Sequence, residues 1–254
     1  MINYDMKIVK GLIVFIIVFS FGNRLFSQTE RIIWKDSDMR KGQKFPFAYI
    51  NGLSSIEKEI NAYLNDKYLN QSESYRDDFN EYEISYPKTN ICRVAISFEH
   101  EFNTYPGIWS FTDNNYFDLR SGKIIYINCL FDKEKYDAFT KMANEQKNAF
   151  VRNFQKSLTQ NQSGFERLNE IVESTLSDSI NSYDFDHGAY ELTLYSDYLE
   201  LSKDWGFAWG VGSGTDNQTL PDIILKFSYI ELSPLFNDYA KELLLMSNET
   251  QNKK

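Results

Sequence analysis

The sequence is poor in histidine, cysteine and basic residues, and each shortage argues against a class of chemistry. Its 254 residues include 2 His and 2 Cys, with 27 Lys+Arg against 36 Asp+Glu. It contains no His-Glu-x-x-His and no Cys-x-x-Cys, the arrangements typical of zinc and dithiol redox sites. No cluster of Lys and Arg is present that could neutralise a phosphate backbone. We therefore expect no metal, no other cofactor and no nucleic-acid partner.

Two loops resemble functional motifs but are incomplete. The run Gly210-Val211-Gly212-Ser213-Gly214 matches neither a phosphate loop nor a nucleophile elbow, because no Gly-Lys-Ser/Thr follows and the serine is not centred in Gly-x-Ser-x-Gly. The turn Asp184-Phe185-Asp186-His187-Gly188 lacks the glutamate that closes a twelve-residue calcium loop. A flexible loop and an ordinary turn are the simpler interpretations.

Acidic pairs are the remaining candidates for catalysis, because a glycosidase needs two carboxylates. With 36 acidic residues in the chain, such pairs arise by chance. We predict no catalytic residues, and an envelope hydrolase acting through paired carboxylates stays as an alternative. The pairs in question are Asp77 with Asp78, Glu99 with Glu101, and Asp184 with Asp186.

The N-terminus has the layout of a secretory signal peptide. Lys7 and Lys10 precede an apolar run from Gly11 to Phe21, and small Ser27 follows at a suitable cleavage position. The run has about eleven residues, whereas a membrane-spanning helix needs roughly 20. We therefore predict a signal peptide at residues 1–27, export to the periplasm or cell surface, and no permanent membrane span after cleavage.

Cleavage would make the chain more acidic. Residues 1–27 hold three basic residues and one acidic residue, so the formal net charge would change from -9 to -11. Such a charge mainly keeps a protein soluble. It also makes a cationic partner easier to accommodate than an anionic one.

Strands and helices occur in separate runs, which predicts an α+β protein. We expect one exported domain over residues 28–246 and a disordered tail over 247–254. Its antiparallel sheet would consist of a central three-stranded meander and C-terminal strands, packed by about four helices. The predicted strands are 44–50, 91–102, 108–119, 123–130, 189–195, 198–201 and 221–229, and the predicted helices are 55–69, 132–158, 164–179 and 232–246.

The predicted meander also decides the state of the two cysteines. Cys92 begins its first strand and Cys129 ends its third, two strand spacings of about 4.8 Å apart. That separation exceeds the roughly 7 Å limit for a disulfide. We predict two buried free thiols. In the first strand, Val94 and Ile96 are expected to face inward while Arg93 faces water.

Several segments, in this order, resemble a known family. They are Tyr49-Ile50-Asn51-Gly52-Leu53, Glu59-Ile60-Asn61, Val94-Ala95-Ile96-Ser97-Phe98-Glu99, Asn115-Tyr116-Phe117-Asp118-Leu119-Arg120-Ser121-Gly122-Lys123, Cys129-Leu130-Phe131 and the closing run from Asp222 to Leu232. Together they are similar to the RsiV-like exported domain of unknown function, the type found in the extracytoplasmic half of the lysozyme-responsive anti-sigma factor.

The resemblance implies an α+β envelope domain that binds something, over roughly residues 44–245; it does not imply signalling. Members of the family commonly carry a Gly-Gly-Ala-His loop between the first two meander strands. Here that place reads Thr104-Tyr105-Pro106-Gly107-Ile108-Trp109, so any role of the family's loop does not carry over.

Two aromatic loops are the best candidate contact surfaces. Tyr105 and Trp109 lie in one, and Trp205 and Trp209 lie beside the glycines of the other. The competing interpretation is that the tryptophans fill the core. We predict a non-enzymatic exported binding module whose ligand is a cationic protein such as lysozyme or an envelope glycan, with a structural envelope protein as a further alternative.

Export has a direct test. Intact-mass analysis of the protein from a secreting host should show loss of roughly residues 1–27. Recovery of the full-length chain in the membrane fraction would contradict the prediction and indicate an anchored protein.

Overall fold

The computed structural model describes residues 32–38, 44–50, 54–70, 79–101, 108–158, 164–186, 188–205, 207–208 and 218–245. The predicted signal peptide and tail lie outside these ranges. Within them the protein is α+β, as the sequence predicts. No helix in the described ranges is long and apolar enough to cross a membrane.

The described ranges contain ten strands and six helices. The strands are β1 (Ile32–Asp38), β2 (Lys44–Ile50), β3 (Phe79–Lys88), β4 (Ile91–Glu101), β5 (Ile108–Asp118), β6 (Glu191–Leu194), β7 (Tyr198–Lys203), β8 (Phe207–Ala208), β9 (Gln218–Thr219) and β10 (Ile223–Ser228). The helices are α1 (Ser54–Leu64), α2 (Lys133–Ser157), α3 (Phe165–Ser177), α4 (Ser182–Asp186), α5 (Tyr229–Leu232) and α6 (Asp238–Leu244).

The strands form two three-stranded antiparallel sheets and two hairpins. One sheet has the order β3-β4-β5 and the other the order β10-β7-β6, while β1 pairs with β2 and β8 with β9. In the second sheet Leu225 lies opposite Leu201, which lies opposite Leu192. This register puts the apolar residues of all three strands on one face.

The chain forms two compact units. Unit 1 comprises residues 1–82, 97–111 and 119–123, and unit 2 comprises residues 83–96, 112–118 and 124–254. The strands β3, β4 and β5 contribute residues to both. The boundaries of the predicted exported domain stay a prediction.

Unit 1 is built around aromatic rings. The Phe98 ring stacks on Phe111 with centroids 4.8 Å apart, and Tyr68 stacks on Phe98 at 5.9 Å. Phe45 and Phe79, 5.7 Å apart, complete the cluster. Such rings supply a large apolar area in a small unit. The predicted helix over 55–69 is present as α1 and one π-helical turn, Asn65–Leu69.

Gly122 in unit 1 explains the most specific part of the family-like motif. Its φ is +78°, and a Cβ at this position would come within 2.6 Å of the Ile56 carbonyl oxygen. Backbone atoms cannot yield as a flexible side chain can. Only glycine combines the left-handed conformation with this close approach to α1.

The core of unit 2 lies between α2 and the sheet β10-β7-β6. Phe139 on α2 is fully buried, stacks on Phe131 at 4.3 Å and meets Phe227 of β10 at 5.3 Å. Ala143 and Val151 follow on the same buried side of the helix. The predicted helix over 132–158 is confirmed as α2, with its apolar positions on the buried side.

Side-chain amides close the backbone edges of both units. In unit 2, Gln146 donates to the Lys226 carbonyl (2.8 Å) and accepts from the Lys226 N–H (3.0 Å). Asn144 does the same for Ile180, with both distances 2.8 Å.

In unit 1, Asn61 is buried and bonds both backbone groups of Ala48 at 2.8 Å. Each amide thus satisfies both backbone groups of one residue, in a strand for Ala48 and Lys226 and in a loop for Ile180, because it carries a donor and an acceptor side by side.

The prediction of a third meander strand over residues 123–130 is wrong. The structure has one isolated bridge there, Phe117 to Ile124, followed by a 3-10 turn, Ile127–Leu130. Ile125 and Ile127 are buried as a strand pattern requires, but they enter the helical core of unit 2. The meander is instead completed by β3, which precedes β4 across the short turn at residues 89–90.

This change alters the outcome for the cysteines. Both are free, as predicted, but only Cys92 is buried. Cys129 is exposed because it lies in the 3-10 turn, where its thiol donates to the Asn128 amide oxygen at 3.4 Å. Burial raises the pKa of the Cys92 thiol to about 12, and a weaker hydrogen bond to Tyr86 opposes the shift.

Thiol labelling should separate the two residues. In the native protein without reductant, an alkylating reagent should modify Cys129, while Cys92 stays protected because only an accessible thiolate reacts. Both should react after denaturation. Mass mapping of the labelled peptides measures this, and equal native labelling would contradict the burial of Cys92.

Candidate functional site

One face of the sheet β10-β7-β6 is exposed, and we call it the outer face. The alternation of β10 is strict: Ile223, Leu225 and Phe227 are buried, and the residues between them are exposed. Across the register, the outer face therefore carries Glu191, Thr193, Tyr198, Glu200, Ser202, Ile224 and Lys226, with Tyr195 directly after β6.

Two tyrosines stack at one end of the outer face. The rings of Tyr195 and Tyr198 are 4.3 Å apart at 11°. The hairpin that carries them is closed by a bond from the Tyr195 N–H to the Tyr198 carbonyl (2.9 Å). The Tyr229 hydroxyl donates to the Tyr195 carbonyl (2.8 Å), and burial raises the pKa of Tyr229, so it stays a neutral donor. The pair is thus presented on a fixed backbone.

An ion pair lies beside the tyrosines. Lys226 contacts Glu200 at 3.0 Å and also lies over the Tyr198 ring, 5.7 Å from its centroid. The Glu200 side chain is 14% exposed and the Lys226 side chain 59%. The lysine therefore uses its charge within the protein, on a carboxylate and on a ring.

At the opposite end, Glu191 joins a chain of polar side chains that we call the acidic network. Arg93 donates through Nη1 to Glu83 (3.1 Å) and through Nε to the Asn114 amide oxygen (2.6 Å). Asn114 in turn donates through Nδ2 to Glu191. The network thus joins β3, β4 and β5 to β6 in the order Glu83, Arg93, Asn114, Glu191.

Glu191 is exposed on its outer side, yet its neighbours keep part of the water away from it. This desolvation raises the pKa of the carboxyl; the Asn114 hydrogen bond lowers it, Asp113 raises it and Arg93 lowers it. The carboxyl is therefore less well stabilised as an anion than it would be in water.

A buried hydroxyl lies at the base of the acidic network. Tyr116 is 2% exposed, and its hydroxyl lies close to the Leu194 backbone and the Thr193 side chain. Burial raises the pKa of this phenol; Leu194 and Thr193 are close enough to oppose that shift, as does Arg93, while Glu191 adds to it. Tyr116 thus couples Glu191 to the inner part of β6.

Carboxylates outnumber cations along this surface. On the outer face, its tyrosine hairpin and the acidic network, five carboxylates (Glu83, Asp113, Glu191, Asp197 and Glu200) are set against three cations: Arg93, Lys226 and Lys88, which faces Asp197. The local sign agrees with the net charge of -9 for the whole chain. A surface of this kind attracts cationic groups.

Of the four predicted contact residues, the structure describes the side chain of one. Tyr105 and Trp209 lie outside the described residues, and Trp109 lies in β5 with its side chain outside the description. Whether the two aromatic loops meet therefore stays open, and the four residues remain predictions as ligand contacts.

Trp205 is half-buried in unit 2. Its ring packs against Phe154 with centroids 5.0 Å apart and against Phe150 at 6.2 Å. Its indole N–H donates to the Thr175 hydroxyl of α3 at 2.9 Å. These contacts favour the interpretation of this tryptophan as part of the core.

The other sequence candidates gain no support as a site. Asp77, Asp78 and His187 lie outside the described residues, as do the side chains of Asp186, His100 and Glu101. No group of three or more potential metal ligands comes together in the part of the chain that the structure describes.

Comparison with known proteins finds matches among solved structures only. No sequence model of a known family matches the chain, and no curated protein matches it. Similar solved structures include a DUF3298 family protein from Pseudomonas aeruginosa PAO1, with 10% identity and a TM-score of 0.46, covering 82% of this chain and 94% of that one. A DUF3298 member from Bacteroides fragilis has 9% identity and a TM-score of 0.43, covering 87% of this chain and 96% of that one.

The contacts of Trp205 lead to a stability prediction. Replacing it with alanine should lower the free energy of unfolding by about 2–4 kcal/mol, because a half-buried ring leaves a gap against Phe150 and Phe154. Trp205→Phe, which keeps a ring but loses the bond to Thr175, should cost about 1 kcal/mol. Urea unfolding followed by circular dichroism measures both, and unchanged stability in Trp205→Ala would contradict the packing.

Proposed function

We propose that this protein is a non-enzymatic exported binding module that docks a cationic protein on its outer face. The observation that carries the proposal is the stacked pair Tyr195 and Tyr198 on the outer face, next to the excess of carboxylates that this face shares with its hairpin and the acidic network. Tyr195 is 37% exposed and Ile224 is 40% exposed, so this face offers apolar contact area as well as charge. Tyrosine anchors ringed by polar groups are typical of protein interfaces.

The charge of the surface favours a protein over a glycan as partner. A stacked aromatic pair can hold a sugar ring, but a neutral glycan gains little from five carboxylates. Lysine and arginine side chains are stabilised by both groups on this surface: they form ion pairs with the carboxylates and pack on the tyrosine rings. A wall-active cationic protein therefore fits the surface best.

Two features of the sequence support the proposed location outside the cytoplasm and the proposed partner. The charged and apolar N-terminus supports export. The resemblance to the RsiV-like domain supports lysozyme as a candidate partner, since that domain type occurs in a lysozyme-responsive protein. An exported acidic module would meet such a cationic protein outside the cytoplasm.

Binding of lysozyme by the mature chain tests the proposal. We expect measurable affinity by calorimetry that falls at least about tenfold as salt rises from low to several times physiological ionic strength, because screening weakens exposed charge contacts. Tyr195→Ala should weaken binding by about tenfold at unchanged melting temperature. Tyr183→Ala is the matched control, since Tyr183 is 63% exposed on α4 and not on the outer face.

Modified partners distinguish the outcomes. Lysozyme whose lysines have been succinylated should not bind, because its charge is reversed. Binding of soluble wall glycan that is insensitive to salt and lost in Tyr195→Ala would replace the protein partner by a glycan. Absence of binding to lysozyme and to other cationic proteins would overturn the proposal.

A further inference from the structure

Glu191 differs in its partners from Glu200 of the outer face and from Glu83 of the acidic network. Glu200 is paired with Lys226 at 3.0 Å, and Glu83 is paired with Arg93 at 3.1 Å. Within the described part of the chain, Glu191 accepts a hydrogen bond from Asn114 and has no cation within ion-pair distance. It is thus an exposed carboxylate whose described partner is a neutral amide.

The network determines which end of the Asn114 amide faces Glu191. The Asn114 oxygen accepts from Arg93, so the amide nitrogen must point the other way and donate to Glu191. Arg93 is held in turn by Glu83. Without Arg93, the amide could rotate and present its oxygen to the carboxylate, which would repel it.

Building on the proposed function, we infer that Glu191 is the specificity-determining carboxylate that receives a basic side chain of the partner, with Asn114 as the residue that positions it. One carboxylate oxygen is held by Asn114, and the carboxylate keeps further lone pairs for an arginine or lysine.

The inference predicts that binding of the partner is coupled to the release of a proton from Glu191. The charged or titratable groups that face Glu191 are Asp113 and Tyr116 on β5 and Arg93 on β4, with Asn114 as the polar contact. These surroundings raise the pKa of Glu191, and a bound cation would lower it. Binding therefore releases a proton near the free-state pKa, so affinity should rise with pH and level off above that pKa.

The test uses a capped hexa-arginine peptide, because guanidinium groups keep their charge throughout the range. Its dissociation constant is measured by calorimetry between about pH 4 and pH 8. Glu191→Gln should weaken binding about tenfold at neutral pH and flatten the pH profile. Glu231→Gln, an equal charge change at an exposed site on α5, should change affinity less than about threefold and keep the profile.

Asn114→Ala tests positioning separately from folding. Losing the Asn114 donor should move the midpoint of the pH profile upward, because the ionised carboxylate loses its hydrogen bond.

The melting temperature of Glu191→Gln at neutral pH should not fall. The folded-state pKa of Glu191 is raised, so above that pKa the ionised carboxylate opposes folding.

The outcomes separate the two proposals. If wild-type protein binds the peptide and Glu191→Gln binds like Glu231→Gln with the same pH profile, this inference is wrong and the proposed function stands. Wild-type protein that binds lysozyme but not hexa-arginine also overturns the inference. Failure of wild type with both probes overturns the proposed function itself.

Discussion

Buried or edge backbone groups must find hydrogen bonds, and in this protein three side-chain amides each satisfy both backbone groups of one residue. Asn61 serves Ala48, Asn144 serves Ile180 and Gln146 serves Lys226, each through both its oxygen and its nitrogen. An unsatisfied buried group costs about 1–3 kcal/mol. A helix therefore docks on a strand or loop in the one register that aligns the amide with both backbone groups.

The position of the outer face follows from this arrangement in unit 2. The helix α2 carries Gln146 and, one residue later, Lys147, whose ammonium donates to the Thr175 carbonyl (2.8 Å) and to the Asp178 carbonyl. Burial lowers the pKa of Lys147, and the nearby Asp178 carboxylate opposes the shift. Because α2 bonds β10 on one side and the end of α3 on the other, it covers the inner face of the sheet. The opposite face of the sheet is the outer face.

The sequence pattern and the structure agree where the periodicity of a single element is enough to identify its buried side. The buried series Phe139, Ala143 and Val151 repeats with the helix period, so α2 is predicted well. They disagree at 123–130, where Ile125 and Ile127 alternate as in a strand. The alternation indicates that both residues are buried, but it does not indicate which residues they pack against. A 3-10 turn packed on the core of unit 2 buries them equally well.

The sequence by itself determined the α+β class, the main helices, the strands of the C-terminal sheet and the scarcity of metal-binding and nucleophilic motifs. It also placed Arg93 on an outward face. Only the tertiary structure decided that Arg93, Asn114 and Glu191 form one network, because Asn114 and Glu191 are 77 residues apart in the chain. Alternation reports which face a side chain takes, whereas the neighbour across the strand depends on sheet order and register, which long-range packing decides.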